Sequence, residues 1–375
     1  MEEKKYEIVR IESNIDDHNH TRGSDGRQSS LRMLLRANNK GHNIVSITDH
    51  DSVRGYKNLE EDLYAVVETI KMDKSYNPEN IIQVLKEVKL LTGVELITSY
   101  DGVIIEVLGY DIDVEKMEKE IQNLKSTIQK KPYEVLYQEF NKIIDEKGLI
   151  FDKKKLEDAY EKIKKEGKGG VVGPFYNELY AHEENRKFLQ YEEDGEYKIA
   201  DSLKLFINKC LYNSKTPLFV NMEESRPNYK ATIDAIHRTG GKAILAHPGR
   251  YMDKFDCLAK LDEMISYGLD GIEVFYPDHS YEFRQKLLDK VKEHHLVASG
   301  GSDDHHSIKE GVQYQTGRVA VPDIPETKWI KETVGEGYLK KNNIIAKYIE
   351  ELQEIADERN RSSYKDTRED DEEER

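Results

Sequence analysis

The sequence predicts an α/β chain of parallel strands with covering helices, split by a mostly helical insertion. Three observations carry this reading. Short apolar, β-prone runs alternate with helical patterns over residues 7–112 and again over 231–299, and such alternation implies parallel pairing through right-handed crossovers. Between them, residues 114–229 are rich in Lys and Glu, carry apolar residues at helical spacing and have few strand-like runs. Finally, His and Asp residues stand where strands end, which is where parallel barrels gather catalytic groups.

Taken in order, Ile8–Glu12 reads as a first strand, and 29–39 as a helix with Ser29 or Ser30 as N-cap and Gly41 near its end. Ile44–Thr48 is a strand, 57–70 and 77–90 are helical, and Thr92–Leu96 and Val103–Leu108 are strands. The stretches 114–130 and 134–166 read as helices, followed by a loop at Gly167–Gly170. Ala231–Arg238 is a helix stopped by Gly240-Gly241, and Lys242–Ala246 is a strand. Asp256–Tyr267 and Tyr281–His294 are helices, alternating with strands at Gly271–Phe275 and Leu296–Ser299. The expected organisation is therefore 1–112 and 231–325 as two parts of one α/β unit, with 113–230 as an inserted cap. A helical extension at 326–358 and an acidic, unstructured tail at 359–375 complete it.

Of 375 residues, 37% are hydrophobic and 35% charged, a balance that suits a soluble globular protein. Met1–Tyr6 lacks the apolar core of a signal peptide, and no run of eighteen apolar residues occurs. A cytoplasmic protein without a membrane partner is expected. Cys210 and Cys257 are the two cysteines, too few and too far apart for a disulfide framework, so buried thiols are expected. The net charge of −16 argues against an extended duplex as partner, because affinity for long nucleic acids rests on a broad basic face. Small phosphorylated substrates remain compatible, since bound cations reverse the local charge.

The chemistry resides in scattered short strings. His18 and His20 alternate along an extended segment, so both rings point to one side and can share a metal ion, with Asp25 in the turn beyond Gly23. Asp49-His50 follows the strand Ile44–Thr48, and Glu95 follows Gly93-Val94 as a carboxylate able to bridge two ions. His247 follows Ala243–Ala246, and Asp303-x-His305 repeats the alternation after Gly300-Gly301. Asp49 is expected to orient a ligand. Glu273 and His279, flanking Pro277-Asp278 at a strand end, are expected at the rim of the site as substrate contacts.

In combination these strings resemble the PHP (polymerase and histidinol phosphatase) superfamily. They are Asp17–Thr21 with Ser24–Gly26, Ile47–Asp51, Gly93–Glu95, Gly240–Ala243, Leu245–Tyr251, Gly271–Val274 and Gly300–His305, all in family order. The resemblance covers roughly 10–112 and 230–322. It implies a distorted (β/α)7 barrel and hydrolysis of phosphoesters with two or three divalent ions (Mn, Zn, Fe or Mg). The His-Pro-Gly-Arg-Tyr string at 247–251 is most similar to the branch of nucleoside 3′,5′-bisphosphate phosphatases and 5′–3′ exoribonucleases.

Residue by residue, the resemblance implies a first ion held by His18, His20, Glu95 and Asp303, and a second held by Asp25, His50 and the bridging Glu95. A third would lie on His247, His305 and a residue of the strand 103–108. The family usually has His there; this chain has Glu106, which alters the expected metal preference. In the exonuclease branch an Arg and a His before Phe175 serve the substrate, and Val171–Pro174 offers neither. Arg250 is the expected phosphate ligand, and Asp303, His305 and Arg250 are the expected catalytic set. The implied reaction is hydrolysis of a small phosphomonoester, such as a nucleotide, by a metal-bridged hydroxide. The alternatives are a 5′–3′ exonuclease on short RNA or DNA and a non-catalytic metal-binding regulator.

Overall fold

A computed structural model describes residues 14–373 except 194, 253, 307, 310–311, 314–318 and 336–342. The strand expected at Ile8–Glu12 lies outside the described residues. Seven strands form the main sheet: β1 (Ile15–Asp16), β2 (Ile44–Ile47), β3 (Lys89–Tyr100), β4 (Val103–Tyr110), β7 (Lys242–Leu245), β8 (Gly271–Phe275) and β9 (Val297–Gly300), in the spatial order β1-β2-β3-β4-β7-β8-β9. Each strand is buried along most of its length, consistent with a sheet covered on both faces.

Pairing is parallel except at β4, which runs antiparallel to both β3 and β7. This corrects the expectation of uniformly parallel strands. Only Asp101-Gly102 separate β3 from β4, and a two-residue link makes a hairpin, whereas a parallel crossover needs a dozen residues or more. Both link residues take positive φ, 49° at Asp101 and 78° at Gly102, as tight hairpin turns require.

The sheet curls until its ends meet. Just beyond β1 and β9, Asp303 N–H donates to the His18 carbonyl (2.9 Å) and His20 N–H to the Asp304 carbonyl (3.0 Å). Gly301 sits in this seam, where an added Cβ would lie 2.3 Å from the His18 nitrogen.

Helices cover the sheet. α1 (Ser30–Asn39) starts at the expected N-cap Ser29, whose side chain accepts from Arg32 N–H. α2 (Arg54–Met72) and α3 (Pro78–Glu87) follow, and α9 (Tyr229–Arg238) and α11 (Tyr281–Glu293) lie in the second half of the chain. The helix expected over 256–267 is shorter, α10 at Leu261–Ser266.

In the middle of the chain, α4 (Val114–Thr127) buries Met117, Ile121 and Leu124 in the same cluster as the sheet. α5 (Pro132–Lys147), α6 (Lys153–Glu166), α7 (Val172–Ala181) and the hairpin of β5 (Gln190–Glu193) and β6 (Glu196–Ile199) follow. They enclose a second apolar cluster around Phe140, Phe175 and Phe206, with Phe140 and Phe175 stacked at 3.8 Å. Cys210 and Cys257 are free and buried.

Two short helices, α8 (Leu203–Leu205) and α12 (Lys328–Thr333), precede α13 (Asn343–Glu373), into which the acidic stretch from 359 continues. Arg359 pins α13 to the C-terminal end of α2, donating to the carbonyls of Ile70 and Tyr76. No helix among the described residues is long and apolar enough to cross a membrane.

Gly301→Ala would force apart the two segments that carry His18 and Asp303. Overpacking of this kind is expected to cost about 2–3 kcal/mol, read as a lower urea midpoint. An unchanged midpoint would show that the seam yields freely.

Candidate metal centre

The ends of β1, β2, β7 and β9 and the middles of β3 and β4 deliver polar side chains to one place. The segment past β1 is fixed on both sides. Asn19 N–H donates to the Thr48 hydroxyl (3.1 Å) and its carbonyl accepts from Thr48 N–H (2.9 Å), while the bonds to Asp303 and Asp304 hold the other edge. Alternation then turns His18 and His20 to the same side, their Nε2 atoms 3.2 Å apart. His50 follows β2 and pairs in register with Glu95 on β3.

Glu95 stands in the middle, fully buried. Its Oε2 lies 3.4 Å from His18 Nε2, 3.2 Å from His20 Nε2 and 3.0 Å from His50 Nδ1, while Oε1 lies 3.0 Å from His247 Nε2. Asp303 places Oδ1 at 3.1 Å from His20 Nε2 and 3.5 Å from His18 Nε2. Its Oδ2 takes the Tyr276 hydroxyl at 3.0 Å and Arg250 Nη1 at 3.4 Å.

A surrounding layer aims these groups. Glu273 accepts from His18 Nδ1 (2.8 Å) and from His247 N–H (2.7 Å), so it joins β1 to β7. His305 Nδ1 bonds to the Asp303 carbonyl (2.9 Å), leaving Nε2 to face Asp25 Oδ1 at 3.2 Å. Asp49 accepts from Thr21 N–H and hydroxyl and from the Ser24 hydroxyl at 2.6–2.8 Å. It thereby fixes the loop that carries Asp25.

Two expectations change. Glu273 and His279, read as substrate contacts, both have their polar atoms committed inside the protein. Glu273 is fully buried on His18 and His247. His279 donates from Nδ1 to the Val274 carbonyl and accepts at Nε2 from Gly249 N–H, each at 3.0 Å. Gly249 has no alternative there, since a Cβ would lie 2.5 Å from the His279 ring.

The division of ligands also changes. The structure groups His20, Asp25, His50 and His305, then His18, His20, Glu95 and Asp303, then His50, Glu95 and Glu106. His305 thus belongs with Asp25 and His50, not with His247 and Glu106. Glu106 on β4 instead neighbours His247 at the end of the adjacent strand, its Oε2 3.3 Å from His247 Nε2.

Sequence reasoning passed over Tyr251, Tyr276, Tyr56 and Tyr110. The first two touch ligands; Tyr56 and Tyr110 donate to the carbonyls of Ile47 and Asp17 beneath them. The excess of 23 tyrosines was the available signal.

No family model matches the chain. It is 27% identical over 293 residues to a 5′-3′ exoribonuclease of Haemophilus influenzae, covering 77% of this chain and 89% of that protein. It is 24% identical over 298 residues to a 3′,5′-nucleoside bisphosphate phosphatase of Chromobacterium violaceum, covering 78% and 87%. A solved structure of a metal-dependent phosphoesterase from Bifidobacterium adolescentis superposes with a TM-score of 0.46 at 21% identity, covering 82% and 92%. The two named relatives match the branch of the PHP superfamily that the sequence strings resemble.

The residues present fit divalent ions. His20 Nδ1, His50 Nδ1, His305 Nε2 and Glu95 Oε2 are buried atoms without a hydrogen-bond partner. Leaving such atoms unsatisfied costs about 1–3 kcal/mol each, a cost that cations relieve.

Protonation gives the same answer. Burial favours the neutral ring of His20, but hydrogen bonds to Asp303 and Glu95 outweigh it and raise the pKa to about 10. Burial likewise opposes charge on His18, and Glu273, Glu95 and Asp303 override it upward. Near pH 7 these two imidazoles therefore carry protons in the metal-free site. Below about pH 10 an ion must displace them, so affinity rises with pH. Titrating metal-stripped protein with Mn²⁺ at pH 7 in buffers of different ionisation enthalpy should reveal net proton release. Zero release would contradict this account.

Proposed function

We propose that the chain hydrolyses a terminal phosphate ester of a nucleotide or similar small metabolite. The frame would be a distorted (β/α)7 barrel with residues 113–230 as cap. The observation that carries the reading is the graded exposure of the cluster. His18, His20 and Glu95 are fully buried, whereas the side chains of Asp25 and Arg250 are 52% and 50% exposed. A site closed at its base and open on one side suits the end of a substrate better than a chain passing through.

In this reading His18, His20, Glu95 and Asp303 hold one ion, Asp25, His50 and His305 a second, and Glu95, Glu106 and His247 a third. When bound, such ions supply a water of lowered pKa and positive charge against the phosphate oxygens. The chain's own groups do the rest. Arg250 spends one nitrogen on Asp303, and its remaining donors can reach a phosphate oxygen. Tyr276 and Arg250 share Asp303 Oδ2, which turns Oδ1 toward His18 and His20. Burial works against charge on Asp303, yet His18 and His20 hold it well below the usual carboxylate range, so it stays ionised.

Asp303→Asn keeps the shape and removes that charge. With Mn²⁺ saturating, turnover is expected to fall by at least about 10³-fold, comparable to loss of a principal electrostatic contribution. Near-normal phosphatase activity in the variant would sink the assignment.

An exoribonuclease reading is favoured by the Haemophilus influenzae relative, 89% of whose length is matched. The two separate on kcat/KM for a nucleoside 3′,5′-bisphosphate against a 5′-phosphorylated RNA oligonucleotide. We expect the small substrate to win, because the −16 charge offers little to track a polyanionic backbone. Processive decay of the oligonucleotide would establish the second reading instead.

A further inference from the structure

Glu106 is the ligand position at which this chain departs from the family pattern, and the structure supplies it with a partner. The Tyr251 side chain is buried in the main core, and its hydroxyl touches three polar atoms. It accepts from Glu106 N–H at 3.0 Å, lies 3.0 Å from Glu106 Oε2 and lies 3.1 Å from His247 Nδ1. The two flanking side chains also approach one another. His247 Nε2 is 3.0 Å from Glu95 Oε1 and 3.3 Å from Glu106 Oε2. Backbone pairing locks the arrangement, with Ala246 N–H donating to the Glu106 carbonyl at 3.1 Å.

Counting protons makes the hydroxyl decisive. A tyrosine hydroxyl has one hydrogen and two lone pairs, and Glu106 N–H occupies one lone pair. For His247 to offer Nε2 to a cation, its proton must reside on Nδ1 and donate to the second lone pair. The hydroxyl hydrogen then has a single acceptor in reach, Glu106 Oε2. The chain His247 Nδ1–H to Tyr251 O–H to Glu106 Oε2 therefore presents an unprotonated imidazole nitrogen and an anchored carboxylate together. Without the hydroxyl, the His247 tautomer is free to place its proton on Nε2, toward Glu95, and the Glu106 carboxylate has no anchor.

We propose that Tyr251 is a positioning residue that makes Glu106 and His247 a joint site for a divalent cation. This rests on the third-ion reading above, and the test separates the two. Outer-layer partners of metal ligands contribute about 10–100-fold in affinity. Tyr251→Phe keeps the ring and its packing but removes the partner of three polar atoms, so the metal-free variant should fold and melt somewhat below the parent, and the metal affinities are compared on folded protein. With Mn²⁺ alone, equilibrium dialysis and elemental analysis should show one ion bound about 10–100-fold more weakly in Tyr251→Phe, the others unchanged.

Glu106→Ala should weaken the same ion, and the double variant should lose little more than Glu106→Ala alone, because both act on one site. If Glu106→Ala leaves every Mn²⁺ affinity unchanged, the third-ion reading falls and the proposal with it. If Glu106→Ala weakens an ion while Tyr251→Phe does not, or if the two losses simply add, the reading stands and the role of Tyr251 is overturned.

Discussion

The structure depends on one buried charge, the Glu95 carboxylate. A carboxylate removed from water costs several kcal/mol unless it is matched. Here the match comes from four imidazoles delivered by three other strand ends, His18 and His20 past β1, His50 past β2 and His247 past β7. Burial pushes Glu95 toward the neutral acid, and the facing imidazoles of His18 and His50 reverse that and hold it well below the usual carboxylate range. No two adjacent strands could satisfy this group. The sheet must curl for the ends of β1 and β7 to face β3 at once, so the chemistry of the centre and the curvature of the sheet are one requirement.

The side chains around the ligands explain how so polar a centre is kept in place. Glu273 fastens His18 to the His247 backbone, Asp49 gathers the loop before Asp25, and Tyr276 and Tyr251 hold the outer oxygens of Asp303 and Glu106. Rigidity at the ligands carries a backbone cost as well. His247 and Asp303 take φ values of 26° and 52°, unusual for residues with a side chain. Strain of this kind costs of order 1–3 kcal/mol per residue and persists where its surroundings over-determine it. Both residues are gripped by hydrogen bonds on either side, which is the required surrounding.

Outside the centre, the apolar core is divided in two. α4 packs with the sheet, whereas α5 to α7 and the β5–β6 hairpin bury Phe140, Phe175 and Phe206 in a cluster of their own. That segment is therefore held by apolar contacts separate from those beneath the strand ends.

By itself, the sequence determined which His and carboxylate residues stand as candidate ligands, most of the strands that carry them and the change of texture in the middle of the chain. These are local properties: apolar runs of fixed period, glycine turns, and His and carboxylate pairs at spacing two, which set side-chain direction within a few residues. Tertiary structure decided the rest. It reversed β4 through the two-residue turn Asp101-Gly102 and moved His305 to Asp25 and His50. It also withdrew Glu273 and His279 from the substrate side and turned otherwise unremarkable tyrosines into supports. The reversal of β4 rests on a local turn; the other outcomes could not be read along the chain, because each depends on which oxygen or nitrogen faces which neighbour across a curled sheet. That is fixed by distances between residues up to 286 positions apart, as between Asp16 and Ser302, and sequence spacing carries no information about them.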